Sequence, residues 1–261
     1  MPAAWLILPT YNEAENIEPL IRAALAGLAE ADAEPHVLIV DDSSPDGTGE
    51  LADRLAEELV SVEVLHRPRK QGLGRAYLAG FAVALERDAD LVLEMDSDFS
   101  HDPADLPRLI SAAGAADLVL GSRYVPGGGI TEWGAIRRLL SRGGSAYARW
   151  LLGVPVRDLT GGFKCFRREV LEAIDLDAVH ADGYGFQIEL TYRAVQAGFT
   201  VTEVPIVFRE RRLGRSKMTT RIAIEAVWKV PALRLRLREP AAPPPAPERA
   251  QQAAGEGGDR H

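Results

Sequence analysis

Residues 91–100 read Leu-Val-Leu-Glu-Met-Asp-Ser-Asp-Phe-Ser, and this stretch is the best guide to the fold class. The apolar run 91–95 predicts a buried strand, and Asp96 and Asp98 follow it directly. Because residues two apart in extended chain point the same way, both carboxylates should project from one face. Two such carboxylates repel unless a cation lies between them, and Mg²⁺ or Mn²⁺ suits oxygen ligands. An Asp-rich turn before a helix is the alternative interpretation of so short a motif.

The sequence around this stretch alternates short apolar runs with helical patterns. The further predicted strands are 5–8, 37–40, 62–65 and 118–120. Between them, apolar residues recur at three- and four-residue spacing, which is typical of helices that bury one face. Strands separated by helices predict an α/β fold: a Rossmann-like, mainly parallel sheet flanked by helices on both faces. Such sheets bind ligands beyond the carboxyl ends of their strands, so the residues that follow each strand are the candidate functional residues.

Composition narrows the class of protein. The chain has 261 residues, 46% of them apolar, and a formal net charge of −8. That is ordinary for one large or two small globular domains, and the acidic balance argues against general nucleic-acid binding. The single cysteine, Cys165, cannot form an internal disulfide or a cysteine-rich zinc site. No apolar stretch approaches 18 residues, so we expect neither a transmembrane helix nor a signal peptide.

The charge is unevenly distributed along the chain. Residues 209–238 contain ten Lys or Arg and two Glu, a net charge of +8, so the other residues together carry −16. Within this stretch, 218–238 interleaves cations with aliphatic side chains and predicts a basic amphipathic segment, which can lie on an anionic bilayer. A helix packed on the domain with its charges in solvent is the alternative. Residues 239–261, rich in Pro, Ala and Gly, predict a disordered tail.

The other strand ends also carry polar motifs. The first is followed by Pro-Thr-Tyr-Asn-Glu at 9–13, which is not the glycine-rich fingerprint of a dinucleotide site and disfavours NAD or FAD. Asp41 and Asp42 follow the second strand and could hold a ribose or a base edge, or could simply cap a turn. The basic stretch 66–74 could cover a diphosphate or could be a helix-entry turn. Arg123 follows the fifth strand and offers a cation near the carboxylates, with a surface ion pair as the alternative.

Seven motifs in order carry a family resemblance. They are PTYNE, VDDSSPDGT, EMDSDFSHDP, GSRYVPGG, TGGFKCFRREVL, GYGFQIELTYRA and EVPIVFRERRLGRSKM. In this register the chain, from about 5 to 228, resembles family 2 glycosyltransferases, and more narrowly the polyprenol (dolichol) phosphate mannose synthases. The resemblance implies a GT-A fold over 1–238, with a nucleotide-binding half at 1–123 and an acceptor half at 124–217. It also implies transfer of mannose, with inversion, from GDP-mannose to a polyprenyl phosphate at the cytoplasmic, inner face of the membrane.

The resemblance implies roles for particular residues. The residues expected to cradle the guanosine are Pro9, Tyr11, Glu13, Val40 and Asp42. Those expected to meet the sugar nucleotide are Asp96, Ser97, Asp98 and Arg123, with Arg211 and Lys217 closing over the diphosphate. Asp98 is the expected direct metal ligand, accompanied by Asp96 and Ser100, and the metal is Mg²⁺ or Mn²⁺. Ser97 replaces the alanine usual between the aspartates, and Ser100 is a poorer metal ligand than the amide or carboxylate of some relatives.

The implied chemistry is electrostatic. The acceptor phosphate is already ionised near pH 7, so no dedicated general base is needed. We therefore expect Asp98, Arg123, Arg211 and Lys217 to be catalytic. The resemblance further implies that the stretch 137–141, with Arg137 and Ser141, holds the acceptor phosphate. We expect His66, His101 and His180 at the surface or in turns, and Glu189 in a structural role.

Two other functions remain open from the sequence. A sibling enzyme could load glucose or another sugar from a UDP donor onto the same lipid. A non-catalytic sugar-nucleotide or lipid-docking module is the alternative from a different class. For the enzyme we expect peripheral attachment to the membrane surface or to an integral membrane partner.

Overall fold

A computed structural model describes residues 1–181, 183–210 and 230–236. The predicted clamp residues Arg211 and Lys217, most of the predicted amphipathic segment 218–238 and the predicted tail 239–261 lie outside the described residues. Strands and helices alternate as the sequence pattern predicts. In chain order they are β1 (Ala3–Thr10), α1 (Ile17–Ala29), β2 (Glu34–Asp41), α2 (Thr48–Glu58), β3 (Val62–His66), α3 (Leu73–Glu86), β4 (Leu91–Glu94), α4 (Leu106–Ala112), β5 (Leu118–Ser122), β6 (Gly129–Ile130), α5 (Ala135–Leu152), β7 (Lys164–Arg167), α6 (Arg168–Ala173), α7 (Tyr184–Gln196), β8 (Val201–Pro205) and β9 (Val207–Phe208). Residues 230–236 form a further short helical segment.

Seven strands form the main sheet in the order β3-β2-β1-β4-β7-β5-β8. Only β7 runs antiparallel to its neighbours, so the prediction of a mainly parallel sheet is confirmed. The chain builds β1, β2 and β3 outward in one direction and then returns to place β4 on the other side of β1. This reversal opens a crevice beyond the carboxyl ends of β1 and β4, where open α/β sheets bind their ligands.

Each face of the sheet buries its own apolar core. On one face, α3 packs against β1 and β2 so closely that a Cβ at Gly80 would overlap the Ile7 side chain and crowd that of Val40. On the other face, α1 buries its predicted apolar stripe against the same strands. Helices on both faces pack against the strands and so position the residues that follow them at the carboxyl edge. Within the described ranges, no helix is both long and apolar enough to span a bilayer.

Candidate active site

A cavity of about 750 Å³ opens at the carboxyl edge of the sheet. Its walls come from the ends of β1, β2, β4 and β5, from the start of α7 and from the helical segment 230–236. The predicted site residues that line it are Pro9, Tyr11, Glu13, Asp42, Asp96, Ser97, Asp98, Arg123 and Arg137. The topology therefore gathers most of the candidates, although they come from widely separated parts of the chain.

The loop after β4 presents the paired aspartates to this cavity. Ser97 Oγ donates to the carbonyl oxygen of Pro9 at 2.8 Å, which ties the loop to the end of β1. The Asp98 Oδ1 atom accepts from the backbone N–H of Ser100 at 3.0 Å, and Asp98 is 4% exposed. The small Ser97 thus has a structural contact of its own, and the turn that follows holds the Asp98 carboxylate in place.

His101 lies inside the site. It is 2% exposed, its ring stacks on Phe163 with centroids 5.0 Å apart, and its edge meets Phe208 at 5.2 Å. His101 lies in a bend between β4 and α4, as one of the two predicted alternatives has it, but the surface alternative is wrong, because the aromatic side chains of β9 and of the loop before β7 cover it. Burial lowers the pKa of His101 to about 4, so the imidazole is neutral. Its Nδ1 is 3.4 Å from the backbone N–H of Asp96 and accepts from it, which places the ring hydrogen on Nε2.

The donor atoms around the paired aspartates suit a hard divalent cation. Asp96 and Asp98 supply carboxylate oxygens, and the buried Ser100 Oγ has no hydrogen-bond partner. An all-oxygen set of this kind fits Mg²⁺ or Mn²⁺. The described part of the chain contains no cluster of three His, Cys, Asp or Glu side chains placed to hold a metal. An ion held here would therefore need further oxygens, which a nucleotide diphosphate or water can supply.

Arg123 is present in the cavity wall but is already paired. Its Nε and Nη2 atoms donate to the two carboxylate oxygens of Asp158, each at 2.7 Å, and its backbone N–H reaches Asp158 Oδ2 at 3.0 Å. Burial opposes both charges, yet Asp158 raises the pKa of Arg123 and Arg123 lowers the pKa of Asp158. Arg123 Nη2 also donates to Thr160 Oγ1 at 2.8 Å. Sequence reasoning missed Asp158, although its position just before the Thr-Gly-Gly turn was the available signal.

At the end of the cavity where the sequence predicts a nucleotide, side chains from three loops converge. The Lys70 ammonium lies 3.6 Å from the centroid of the Tyr11 ring. The buried Asp42 carboxylate receives Arg67 Nη1 at 2.5 Å; burial raises the pKa of Asp42, and Arg67 opposes that shift. Val40, by contrast, is fully buried in the core and does not line the cavity. Its predicted contact with guanosine stays a prediction.

The two residues predicted to hold the acceptor phosphate lie in different settings. Arg137 lines the cavity, packs over the Trp133 ring at 3.9 Å and donates to Glu210 Oε1 at 2.9 Å. Ser141 is buried one helical turn later and accepts from the Tyr124 hydroxyl at 2.7 Å, outside the cavity lining. Arg137 is therefore placed to meet a ligand in the cavity, whereas Ser141 supports the wall behind it.

A buried polar cluster, which no sequence pattern predicted, lies beneath the aspartates. Lys164 Nζ donates to both the backbone oxygen and Oε1 of Gln187, at 2.9 and 2.5 Å. Burial raises the pKa of the neighbouring Glu94 to about 7 and lowers that of Lys164 to about 8. A Cβ at Gly162 would contact Gln187 Nε2 and Asp96 Oδ1, so glycine lets this cluster approach the aspartate loop.

Glu189 is buried and hydrogen-bonded, as its predicted structural role requires. One carboxylate oxygen accepts from Arg193 Nη2 at 2.9 Å and from Arg236 Nη2 at 2.6 Å. Arg193 belongs to the same helix, while Arg236 belongs to the segment 230–236. Glu189 therefore ties that segment to α7 at the wall of the cavity.

Comparison with known proteins agrees with this geometry. A parallel sheet whose carboxyl edge carries paired aspartates beside a large cavity is suited to holding a sugar nucleotide. A family model described as "Glycosyl transferase family 2" matches residues 5–175, and the chain belongs to this family of glycosyltransferases. The curated relatives include an undecaprenyl-phosphate mannosyltransferase from Micrococcus luteus, 51% identical, covering 86% of this chain and 90% of the relative. They also include a polyprenol monophosphomannose synthase from Mycolicibacterium smegmatis, 52% identical, covering 86% and 84%.

Solved structures agree on the fold. Glucosyl-3-phosphoglycerate synthase from Mycobacterium tuberculosis, solved in complex with Mn²⁺, UDP-glucose and phosphoglyceric acid, superposes with a TM-score of 0.65. The sequences are 20% identical, and the alignment covers 89% of this chain and 80% of that one. The GT-A fold predicted from the motifs is thereby confirmed.

Proposed function

We propose that the chain transfers mannose, with inversion, from GDP-mannose to a polyprenyl phosphate, giving polyprenyl-phosphate mannose. The observation that carries the proposal is an identity of just over one half to two polyprenyl-phosphate mannosyltransferases, across 86% of this chain. In the reaction, an acceptor phosphate oxygen bonds to the sugar C1 as the bond from C1 to the GDP oxygen breaks. GDP leaves, and no proton has to be removed from the nucleophile.

Residues at different ends of the cavity are proposed to bind the nucleotide and the acceptor phosphate. Tyr11, Lys70 and Asp42 border the end of the cavity assigned to the nucleotide, and Arg137 borders the end assigned to the acceptor phosphate. Asp158 neutralises the charge of Arg123. Arg123 therefore contributes hydrogen bonds and the structure of the cavity wall, and little net positive charge. The positive charge that the leaving diphosphate requires is therefore proposed to come from Arg211 and Lys217. These two residues lie outside the described residues and are proposed to close over the diphosphate.

A divalent cation fits the proposal. Asp96, Asp98 and Ser100 would hold the cation. A cation bound there would neutralise the negative charge that develops on the leaving diphosphate. The Mn²⁺ in the structural neighbour supports a divalent ion in general terms. We further propose peripheral attachment at the inner face of the membrane, where the lipid acceptor presents its phosphate.

The test is a transfer assay with purified protein and a short polyprenyl phosphate. GDP-mannose and UDP-glucose are supplied separately, each with Mg²⁺, with Mn²⁺ or with a chelator, and lipid products are identified by mass spectrometry. We expect a mannolipid from GDP-mannose that disappears on chelation. Asp98→Asn, which keeps the side-chain shape, should reduce transfer by about two to three orders of magnitude with an unchanged melting temperature. A glucolipid from UDP-glucose with no mannolipid would reassign the donor, and full activity in Asp98→Asn would refute the catalytic role.

A further inference from the structure

Gln187 lies in the wall of the cavity and carries a hydrogen-bond donor without a partner. It belongs to the first turn of α7 and is 3% exposed. Its Oε1 atom accepts from Lys164 Nζ, whereas its Nε2 atom is buried and has no hydrogen-bond partner among the described residues. Burying an N–H group in this way is unfavourable, so such a donor at a cavity wall indicates that a ligand completes it.

Lys164 fixes the direction in which the Gln187 amide points. The fully buried ammonium group of Lys164 can only donate, and it donates to Oε1 and to the backbone oxygen of Gln187, at 2.5 and 2.9 Å. Turning the amide over would set its N–H groups against the ammonium. Thr191 Oγ1 donates to the same backbone oxygen at 3.0 Å, which secures this side of the helix. The amide nitrogen is therefore held away from Lys164.

The atoms around Gly162 indicate the chemical class of the ligand. A Cβ at this cavity-lining glycine would lie 3.2 Å from Gln187 Nε2 and 3.7 Å from Asp96 Oδ1, so a donor and an acceptor flank one point. The Tyr77 hydroxyl reaches the same Asp96 oxygen at 3.5 Å, and a carboxylate oxygen can accept from two donors. A hydroxyl group donates and accepts at once, so it satisfies both atoms. A phosphate oxygen would meet the acceptor Asp96 unfavourably.

Glu94 is a further neighbour of this amide. Both of its carboxylate oxygens are buried without a hydrogen-bond partner among the described residues. Burial raises the pKa of Glu94, and Lys164 and Gln187 oppose that shift. The amide nitrogen carries two hydrogens, so it can turn one toward Glu94 and keep the other for a ligand in the cavity.

We propose that Gln187 and Asp96 together bind a hydroxyl group of the transferred hexose, and that Lys164 positions the Gln187 amide for this contact. The assignment to a hexose rests on the proposed function, because a sugar nucleotide is then the hydroxyl-bearing molecule in the cavity. A site that hydrogen-bonds a substrate hydroxyl rejects the analogue without it, since the polar groups of the site then stay unpaired. Gln187 therefore contributes to the choice among sugar donors.

Analogues of GDP-mannose that each lack one hexose hydroxyl test the contact. With a short polyprenyl phosphate as acceptor, one analogue should lose about tenfold to a hundredfold in kcat/KM with the wild type. Gln187→Glu keeps an acceptor for Lys164 and removes the N–H donor. With this variant GDP-mannose should lose by a similar factor, and the same analogue should lose less than about threefold more. Gln196→Glu, at the exposed end of the same helix, is the matched control and should keep the wild-type pattern.

Two further variants reach the same contact from other sides. Gly162→Ala places a methyl group at the point between Gln187 and Asp96. Calorimetry with this variant should show weaker binding of GDP-mannose and unchanged binding of GDP. Lys164→Met releases the Gln187 amide and should also reduce the discrimination against the sensitive analogue. A merely structural role of Lys164 would instead lower kcat/KM by one factor for every donor and leave the analogue pattern intact.

The outcomes distinguish failure of this contact from failure of the proposed function. Wild-type transfer with analogue losses that Gln187→Glu leaves unchanged at every hexose position would overturn the contact alone. Equal weakening of GDP and GDP-mannose by Gly162→Ala would also overturn it, because the site would then belong to the nucleotide. If the wild type uses UDP-glucose instead, the proposed donor fails, and the same series built on UDP-glucose decides the role of Gln187. If it transfers neither sugar, the proposed function fails and the assignment to a hexose fails with it.

Discussion

The ion pair of Arg123 and Asp158 offers a quantitative test of the site. Asp158 has no exposed side-chain surface and Arg123 only 4%, and two hydrogen bonds of 2.7 Å join them. Removing one partner of a buried pair costs about 3–5 kcal/mol, because the other charge stays buried without compensation. Asp158→Asn keeps the shape and one acceptor oxygen, so we expect about 3 kcal/mol. For a domain of this size that corresponds to a fall in melting temperature of roughly 6–12 °C.

Differential scanning calorimetry at pH 7 measures this effect. The control is Glu172→Gln, which removes the negative charge from the 2.6 Å contact to Arg168 in a partly exposed surface pair and should leave the melting temperature within about 2 °C. The double variant Arg123→Met with Asp158→Leu should recover much of the lost stability, because no charge then remains unpaired. A melting temperature for Asp158→Asn within about 2 °C of the wild type would refute the reasoning.

The same pair predicts a pH dependence with a definite sign. Arg123 holds the pKa of Asp158 below its ordinary value despite burial, so the contribution of Asp158 to stability is complete above the ordinary carboxyl pKa. It is lost as the pH falls through the lowered pKa of the folded state. The gap in unfolding free energy between the wild type and Asp158→Asn should therefore be constant near neutral pH and shrink in strong acid. A gap that widens on acidification would contradict the assignment.

Three other predictions concern separate parts of the molecule. GDP with Mn²⁺ should raise the melting temperature more than UDP with Mn²⁺ in a thermal-shift titration, and the difference should vanish without metal; a larger shift with UDP would favour a UDP-sugar donor. Burial raises the pKa of Cys165 to about 12, so a thiol reagent at pH 8 should label it only after denaturant unfolds the protein; rapid native labelling would contradict the core position. Gly80→Ala should cost about 1–3 kcal/mol in urea unfolding, because the added methyl overlaps Ile7, and an unchanged midpoint would argue against the close packing of α3 on β1.

The sequence predicted the first half of the fold well because local patterns encode it. Each of the first five strands is a short apolar run bounded by helices with clear apolar spacing, and all five lie where the pattern placed them. The strand β7 was not predicted. It has four residues, begins with Lys164 and ends with Arg167, and inserts antiparallel between β4 and β5, which no local pattern specifies. Its pairing depends on tertiary contacts with β4 and β5, which come from earlier parts of the chain.

The site was predictable where it follows strands and not where it depends on packing between distant segments. Asp96 and Asp98 lie at the cavity as their spacing indicates. The partner of Arg123 is 35 residues away, and the burial of His101 depends on aromatic residues from two other elements. The exposure of Ile136, Leu139 and Trp150 on α5 was not predicted either, because helical spacing alone does not tell which of two helix faces meets the core. Most of the basic stretch from 209 to 238 lies outside the described residues, so its predicted clamp still needs a direct test.

A donor competition tests the central claim most directly. The wild-type protein is incubated with Mn²⁺, a polyprenyl phosphate, isotope-labelled GDP-mannose and unlabelled UDP-glucose at equal concentrations, and the lipid product is analysed by mass spectrometry. The label makes the two hexoses distinguishable by mass. Our account predicts a product that carries almost only the label, absent when Asp98→Asn replaces the wild type. An unlabelled product, or labelled product made equally well by Asp98→Asn, would contradict it.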